Sequence, residues 1–270
     1  MKGPGKSPSL VVGGTIVAIL IVAALFGPAL ANHDPLAVHL ANALAAPSLA
    51  HPFGCDALGR DVFARVMWGA RLSLGVSVSV VFLSLIVGGL IGGAAGLAGG
   101  PIDNLVMRAV DIVLAFPGIL LAISMAAILG PGLIDLVIAL TAMGWTGYAR
   151  VVRGEVLSLR EREYVHAANA LGARPARVLI RHMLPAVAGP VAVQATFGIG
   201  GIIGAEAALS FLGLGVLPPT PSWGNMLDAG REFLLIAPHL TTAPGVAIGL
   251  AILGFNLLGD GLAALAGRAG

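Results

Sequence analysis

Apolar residues in this chain come in long blocks that only short polar stretches interrupt. A helix needs about 20 apolar residues to cross the hydrocarbon core of a bilayer, whereas a helix of a soluble protein carries a single apolar stripe. Six blocks reach or approach that length: residues 10–31, 72–97, 109–129, 133–149, 186–209 and 242–264. The pattern predicts an all-α membrane protein with six transmembrane helices.

Glycines recur at regular intervals inside two of these blocks. Gly88, Gly92 and Gly96 lie four residues apart in the second block, and Gly200 and Gly204 repeat the spacing in the fifth. Residues four apart share one face of a helix, and glycine on that face lets a neighbouring helix approach closely in lipid. We therefore expect both helices to pack tightly against others in the bundle.

Length, a proline and a charged residue affect whether the first, third and fourth blocks are straight transmembrane helices. The first is longer than the roughly 7–15 residues of a signal-peptide core, so we treat it as a transmembrane helix and not as a cleaved leader. Pro117 lies inside the third block and predicts a bend there. The fourth block is short and holds Asp135 near its start, which weakens its match to a membrane-spanning helix.

Composition narrows the classes of function. Hydrophobic residues make up 57% of the chain and charged residues 10%, whereas soluble domains average roughly 25% charged residues. No basic face studded with aromatic residues is present, which excludes nucleic-acid binding. The single cysteine, Cys55, excludes an intrachain disulfide, and we expect an inert side chain. Enzyme motifs such as H-E-x-x-H and G-x-S-x-G are absent, so the chain itself is not predicted to be an enzyme.

The basic residues are distributed unevenly between the two sides of the predicted bundle. If the N-terminus is cytoplasmic, 11 of the 15 Lys and Arg residues lie inside, seven of them between residues 150 and 181. The four outside are Arg60, Arg65, Arg71 and Arg231. Because Lys and Arg are retained on the cytoplasmic side during insertion, both termini and the loop after the fourth block are predicted to be cytoplasmic.

That loop is much longer than the few residues that a connection between two helices needs. Residues 155–171 are good helix formers and predict one helix, with an apolar stripe at Tyr164, Ala167, Ala168 and Leu171. Gly172 follows where a helix C-cap favours glycine. Pro175 suits the first turn of a second helix, residues 176–183. The small side chains of the stripe suggest close contact with another protein.

The same stretch resembles the cytoplasmic motif of permease subunits in binding-protein-dependent ABC importers. The family pattern is Glu-Ala-Ala, three residues, Gly, nine residues, Ile, one residue and Leu-Pro, and this chain reads HAANALG, ARPARVLIR and HMLP. The positions that match are Ala167, Ala168, Gly172, Leu184 and Pro185. His166 stands in place of the glutamate and His182 in place of the isoleucine, and the first change would weaken or retune the partner contact.

Three further stretches resemble the C-type subunit of dipeptide, oligopeptide and nickel permeases. They are HPFGCDALGRDVFARVMWGARLSL at 51–74, ALSFLGLGVLPPTPSWGNML at 208–227 and GFNLLGDGL at 254–262. The resemblance implies the type I ABC importer permease fold. It divides the chain into 1–71 (N-terminal tail, first helix and exported segment) and 72–270 (a five-helix permease core with its coupling loop at 150–185). The arginine-rich ending usual after GDGL is missing.

In that family the loop is a coupling helix seated in a groove of an ATP-hydrolysing subunit. The resemblance implies an ATPase-coupling motif at His166, Ala167, Ala168, Gly172, Leu184 and Pro185, with a surrounding surface at Arg160, Tyr164, Leu171, Arg174 and Arg177. The chain lacks the G-x-x-x-x-G-K-[ST] loop that cradles phosphates, so ATP and Mg would be bound by partners and the chain would need no cofactor of its own.

The resemblance also implies the rest of the assembly. A second homologous permease subunit would complete the pathway, with two ABC ATPase subunits inside and a substrate-binding protein outside. The complex would lie in a bacterial cytoplasmic membrane and import dipeptides, oligopeptides or nickel. The alternative is an ion-gradient-driven secondary transporter or a channel subunit, although such proteins carry charged or broken-helix sites near the midplane that these blocks lack.

Two groups of polar residues need separate interpretation. Glu206 lies late in the fifth block, and its position near a helix end favours an interfacial or helix-pairing role over a place in the substrate pathway. His33, His39 and His51 share the exported segment, at spacings that suit no single helix or turn. They are predicted to be solvated histidines and not a metal site.

Overall fold

The computed structural model describes residues 8–31 and 33–269, except for the side chains of Asn169, Pro175, Ala176, His182 and residues 267–269. Lys2, Lys6 and the side chain of Arg268, which belong to the 11 basic residues predicted to be cytoplasmic, lie outside the described residues. Ten α-helices occupy the described chain: α1 Pro8–Leu30, α2 Val62–Ala98, α3 Gly100–Ala115, α4 Gly118–Leu129, α5 Leu133–Arg160, α6 Glu163–Ala170, α7 Pro175–Val178, α8 Leu184–Phe211, α9 Trp223–Gly230 and α10 His239–Ala269. The described residues form no β-strand.

Most of the predicted transmembrane helices are present. Within the described residues, α1, α2, α8 and α10 are long and apolar enough to cross a membrane, and the bent pair of α3 and α4 can provide a fifth crossing. The fourth predicted block forms the first part of α5, whose apolar stretch ends at Arg150. The all-α membrane architecture is confirmed, and a membrane crossing by α5 stays a prediction.

The bend predicted at Pro117 is confirmed. α3 and α4 meet there at an angle of 84°. Phe116 has an extended backbone with φ −84° and ψ 138°, the conformation that proline favours in the residue before it. Pro117 also has no N–H to continue the helical hydrogen bonds of α3. The third block is therefore two helices and not one.

Glycines allow α2 to pack closely along α5. A Cβ atom on Gly88 would lie 2.8 Å from the backbone nitrogen of Ala149, and one on Gly92 would lie 2.9 Å from its Cα. A Cβ on Gly96 would lie 2.9 Å from Cγ1 of Val156. Side chains at these positions would collide with α5, which confirms the close packing predicted from the glycine spacing.

The helix α8 packs less closely than its glycines predicted. Cβ atoms on Gly200 and Gly204 would lie 3.5 Å from the nearest atoms of α10, an ordinary van der Waals distance. The buried Ile203 of α8 packs with Ala251 and Phe255 of α10. The close packing predicted from glycine spacing is thus confirmed for α2, whereas Gly200 and Gly204 are not what brings α8 close to α10.

The first and last helices of the bundle, α1 and α10, lie side by side. A Cβ on Gly13 of α1 would lie 2.7 Å from the carbonyl carbon of Leu257, and one on Gly261 of α10 would lie 2.6 Å from Cα of Leu10. Apolar side chains of both helices form one buried cluster with α2 and α8; those from α1 and α10 are Val17, Leu20, Ala24, Ala251 and Phe255. The N-terminal helix is therefore an integral part of the bundle.

The segment between α1 and α2, residues 33–61, covers the N-terminal end of α2. It contains a short 3₁₀ turn, Leu40–Asn42, and an isolated β-bridge between Cys55 and Asp61. Asp61 caps α2, because its Oδ1 accepts a hydrogen bond from the backbone N–H of Ala64 at 3.1 Å. The helix α2 starts ten residues before the apolar block that predicted it, so the segment is shorter than expected.

The helix α9 packs onto the same end of α2. Its N-terminus has a capping box, in which the Ser222 side chain accepts from the Asn225 N–H and the Asn225 side chain accepts from the Ser222 N–H. The indole Nε1 of Trp223 donates to the Val66 carbonyl at 3.0 Å. We call this region, residues 33–66 and 216–240, the segment end; the opposite end of α2, with residues 150–185, is the loop end.

Candidate functional site

Ion pairs at the loop end attach α3 to α5. Arg153 of α5 donates two hydrogen bonds to the Asp103 carboxylate, at 2.7 and 2.6 Å, and Arg150 donates to Asp111 at 2.6 Å. Bidentate pairs of this kind are among the stronger charged interactions. Sequence reasoning missed both pairs, although two acids eight residues apart lie on one face of a helix and could have indicated them.

The loop itself begins where α5 ends. The N–H of Arg162 bonds to the carbonyl of Leu159 three residues back, at 3.1 Å, and this tight turn stops the helix. The prediction of one helix over 155–171 is therefore wrong, because α5 ends at Arg160 and α6 starts at Glu163. The predicted second helix is also modified: α7 gives way to a π-helical turn, Leu179–Met183, that leads into α8.

Gly172 ends α6 in the way that the sequence predicts. Its φ of +77° lies in the left-handed region, and the Ala173 N–H bonds to the Ala168 carbonyl at 3.1 Å, which is the long hydrogen bond of a Schellman motif. A Cβ on Gly172 would meet no atom within 4 Å. The requirement for glycine is therefore one of backbone conformation and not of space.

The predicted apolar stripe of α6 is divided between two surfaces. Val165 is buried and Ala168 half-buried, and they pack with a cluster of side chains from α5, α7 and α8 that includes Val152, Val156, Val178, Met183 and Val187. Tyr164 and Leu171 are 45% and 88% exposed, and Ala167 is also exposed. Ala168 thus packs partly against the bundle, and its contact with a partner stays a prediction. The predicted stripe did not include the buried Val165.

The arginines assigned to this surface also have two different roles. Arg174 and Arg177 are exposed beside α7. Arg160 is half-buried, and its Nη1 donates to the carbonyl of Gly96 on α2 at 3.1 Å. Arg160 therefore anchors the start of the loop, and its place on the coupling surface stays a prediction.

The remaining motif residues lie at the two ends of the loop. His166 is exposed on α6, with its Nε2 4.0 Å from the Glu161 carboxylate. Leu184 and Pro185 are exposed in the first turn of α8, where proline costs no helical hydrogen bond. Five exposed residues of α6, α7 and the turn between them carry the predicted coupling surface, and we call them the loop surface: Tyr164, Ala167, Leu171, Arg174 and Arg177.

Glu206 lies inside the bundle and not at its edge. The residue is fully buried, and the Ser210 hydroxyl donates to its Oε1 at 2.8 Å. The hydroxyls of Ser73 on α2 and Ser222 before α9 lie beside the carboxyl group. The predicted contact of Glu206 with the lipid headgroups is therefore wrong. The packing of three elements around the residue favours the helix-pairing role. A place in the substrate pathway stays a prediction.

Two of the three histidines after α1 come together. Nδ1 of His33 and Nδ1 of His51 lie 3.2 and 3.1 Å from Oδ2 of Asp61, while His39 is exposed at the start of the 3₁₀ turn. The prediction of three separate solvated histidines is wrong for this pair. The sequence spacing gave no signal, because the two residues meet through the fold of the segment.

Comparison with known families identifies the chain. The sequence profile of the binding-protein-dependent transport system inner membrane component matches residues 63–269. The chain belongs to this family. The profile of the N-terminal transmembrane domain of oligopeptide transport permease C matches residues 6–47 of the same permease. Membership confirms the resemblance drawn from the sequence, and it selects an ABC importer permease over the secondary transporter or channel.

Full-length relatives support the assignment. The permease is 45% identical over 257 residues to the dipeptide transport system permease protein DppC of Alkalihalophilus pseudofirmus, covering 95% of this chain and 84% of that one. It is 45% identical over 247 residues to the glutathione transport system permease protein GsiD of Shigella dysenteriae serotype 1, covering 91% and 82%. The chain is therefore a multi-pass inner-membrane permease component.

A solved structure gives the same fold. The MetNI methionine ABC transporter in an inward-facing conformation aligns with a TM-score of 0.60 at 19% identity, covering 73% of this chain and 93% of the matched chain. A second crystal form aligns with a TM-score of 0.54 at 22% identity. Together with the family match, this likeness confirms the predicted importer permease fold.

Proposed function

We propose that this permease forms half of the pathway of an ATP-driven peptide importer and is driven by separate ATPase subunits through its loop surface. The substrate class rests on the relatives, which are named for a dipeptide and for glutathione. Glutathione is itself a tripeptide, so both names describe short peptides. Neither of these two relatives is named for nickel, the other substrate that the family resemblance allowed.

The exposed apolar residues of the loop surface carry the proposal. Leu171 and Tyr164 project from a loop beyond the apolar blocks, where lipid does not cover them. Exposed apolar residues with a polar rim are typical of protein interaction sites, and here Arg174 and Arg177 supply the rim. A short helix that presents such side chains suits a groove on a partner. An ATPase subunit is the partner expected in this family.

The proposed orientation places this surface in the cytoplasm. It rests on the 11 of 15 basic residues that would lie inside. A second homologous permease, two ATPase subunits that bind ATP and Mg, and an external substrate-binding protein complete the proposed importer. The permease itself needs no cofactor in this scheme.

Coupling is tested by adding a charge to the loop surface. In the complete complex in proteoliposomes, Ala167→Glu should lower ATP-driven dipeptide uptake and substrate-stimulated ATP hydrolysis together, by about tenfold or more, at an unchanged level of embedded permease. Ala167→Ser is the control, because it adds a small polar group without charge. Wild-type transport by Ala167→Glu would show that this surface does not couple the permease to the ATPases.

Gly172 provides a second test on the same loop. Gly172→Val should uncouple the complex, because a β-branched residue is strained in the left-handed conformation, whereas Gly172→Asn should retain most activity because asparagine tolerates it. Equal activity of the two variants would contradict the role of the turn.

Ala168→Glu should act on folding and not on coupling. It places a charge against a buried cluster and should lower the amount of folded permease.

Topology and substrate are tested separately. In a Cys55→Ala background, a membrane-impermeant maleimide should label Thr220→Cys in sealed cells and spare Glu161→Cys; both positions are exposed. Labelling of position 161 would show that the proposed orientation is wrong.

For the substrate, uptake of labelled dipeptide should be inhibited by unlabelled dipeptide or glutathione and not by Ni²⁺. Inhibition by Ni²⁺ alone would reassign the substrate class.

A further inference from the structure

We propose that His33, His51 and Asp61 form a binding site for a divalent transition-metal ion of the zinc class at the segment end. No residue of this group belongs to the loop surface or to the cytoplasmic motif at 166–185, and His51 and Asp61 lie in the family-like stretch at 51–74. The proposal does not depend on what the permease transports, because it concerns how the segment between α1 and α2 is fixed.

The three side chains converge with the spacing of metal ligands. Their ligand atoms all lie within 4.8 Å of one another, and both imidazole Nδ1 atoms approach the same carboxylate oxygen, at 3.2 and 3.1 Å. Zinc bonds to histidine nitrogen and carboxylate oxygen are about 2.0–2.2 Å long, which places neighbouring ligands of a tetrahedral site about 3.3 Å apart. The two histidine–aspartate separations match that edge.

The carboxylate of Asp61 is buried beside the two imidazoles, and its side chain is only 3% exposed. The two arginines nearby pair with a different acid, since Arg60 Nε lies 2.6 Å and Arg65 Nε 3.6 Å from Oδ2 of Asp56. A divalent ion held by Asp61 and the two histidines would compensate the buried carboxylate charge.

Hydrogen bonds to neighbouring residues hold two of the three ligands, Asp61 and His51, in place. Oδ1 of Asp61 is occupied by the N-cap bond to Ala64, which turns Oδ2 towards the histidines. His51 lies in a tight turn, with its N–H donating to Ser48 and its carbonyl accepting from the Gly54 N–H at 2.8 Å. A ligand set supported by a second layer of hydrogen bonds is the arrangement expected of a preorganised site.

The donor set selects the kind of metal. Imidazole nitrogen suits zinc, nickel and related ions, whereas Ca²⁺ and Mg²⁺ favour six or more oxygen ligands. Three protein ligands leave one coordination position for water, and the 41% exposed side chain of His33 leaves an entry path from solvent. A bound ion would join the chain that leaves α1 to the start of α2.

The site is tested on the full chain, purified without a histidine tag, placed in nanodiscs and stripped with a chelator. Equilibrium titration with Zn²⁺ and elemental analysis should give one tightly bound ion per chain. His33→Ala should lower that affinity by more than about 100-fold, the upper end of the loss when an outer partner of a ligand is removed. Asp61→Asn should do the same while keeping the helix cap, because asparagine is an equally good N-cap residue.

A matched histidine and a second readout make the result decisive. His39→Ala removes an imidazole from the same segment outside the cluster and should leave Zn²⁺ affinity unchanged. Zn²⁺ should also slow proteolysis of residues 33–61 in the wild type and not in His33→Ala. Equal Zn²⁺ affinity of the wild type and His33→Ala would overturn the proposal, as would equal losses in the His33 and His39 variants.

Discussion

The two ends of α2 differ in the side chains that define them: buried polar residues at the segment end and exposed side chains at the loop end. At the segment end, Arg65, Ser222 and Asn225 are buried and bonded to neighbouring groups. At the loop end, Leu171 and Tyr164 project outwards. Because α2 has 37 residues, about 55 Å separates the two ends. Exposed apolar side chains occur at both ends, since Leu49 and Leu235 project at the segment end. The difference lies in the buried, hydrogen-bonded groups that hold the segment end together.

This difference separates stability from coupling. A buried hydrogen-bonded group contributes to folding, and its loss leaves an unsatisfied partner. An exposed side chain contributes little to the free energy of folding, so its removal mainly affects binding of a partner. Substitutions at the segment end should therefore lower stability, and those on the loop surface should lower transport at unchanged stability.

The largest expected loss is at Trp223. Trp223→Ala removes a buried indole and its hydrogen bond to Val66, which should cost about 3–5 kcal/mol of unfolding free energy. Thermal unfolding of the purified permease, followed by size-exclusion of a fluorescent fusion, measures the effect. Trp68→Ala is the control, because Trp68 on α2 is exposed. Equal destabilisation by the two variants would contradict the rigid segment end.

A smaller loss is expected beneath the loop. Asp103→Asn weakens the buried bidentate pair with Arg153 and should cost about 1.5–3 kcal/mol, the range for hydrogen bonds to charged groups. Asp111→Asn removes an exposed pair with Arg150 and should cost less than about 1 kcal/mol. Denaturation in detergent compares the two. A greater loss for Asp111→Asn would show that the exposed pair is the main link between α3 and α5.

On the loop surface, stability should hardly change. Leu171→Ser alters an exposed side chain and should shift the unfolding free energy by less than about 0.5 kcal/mol, while ATP-driven uptake falls. Leu171→Met keeps an apolar side chain of similar volume and should transport normally. If Leu171→Ser instead destabilises the permease and transports in proportion to the folded fraction, the two ends do not differ.

The smallest effect is expected at Cys55. Burial raises the pKa of the Cys55 thiol, and the nearby carboxylates of Asp61 and Asp56 raise it further. The thiolate is the reactive form, so a raised pKa lowers its fraction near neutral pH. Maleimide should therefore leave Cys55 unmodified in the folded permease and label it after denaturation, whereas Leu49→Cys in a Cys55→Ala background should react at once. Rapid labelling of Cys55 would show that the segment opens.

Local patterns predicted much of this molecule. The apolar blocks located most of the long helices, because every block except the short fourth one provides roughly the length that a bilayer crossing needs. Pro117 and Gly172 marked a bend and a helix end for the same reason, since the backbone limits of proline and glycine are properties of single residues.

Features that join distant residues were not predictable in this way. Asp103 and Arg153 are 50 positions apart, and His33 reaches Asp61 only through the fold of the segment. Ala168 packs partly inwards because a cluster of side chains from α5, α7 and α8 lies on that side of α6. Helix periodicity finds a stripe but does not tell which neighbour the stripe faces, so the site residues needed the structure for their roles.

The adjacency of α1 and α10 has a consequence for biosynthesis. The glycine face of α1 is inserted first, yet the helix that covers it is translated last. At about 5–20 residues per second, α1 waits from roughly ten seconds to under a minute for its neighbour. During that interval other nascent helices, lipids or an insertion factor must shield the same face. A ribosome stalled before residue 239 would therefore leave an intermediate in which α1 packs against α2 but lacks its contact with α10, and quality-control proteases in the membrane would meet it in that state.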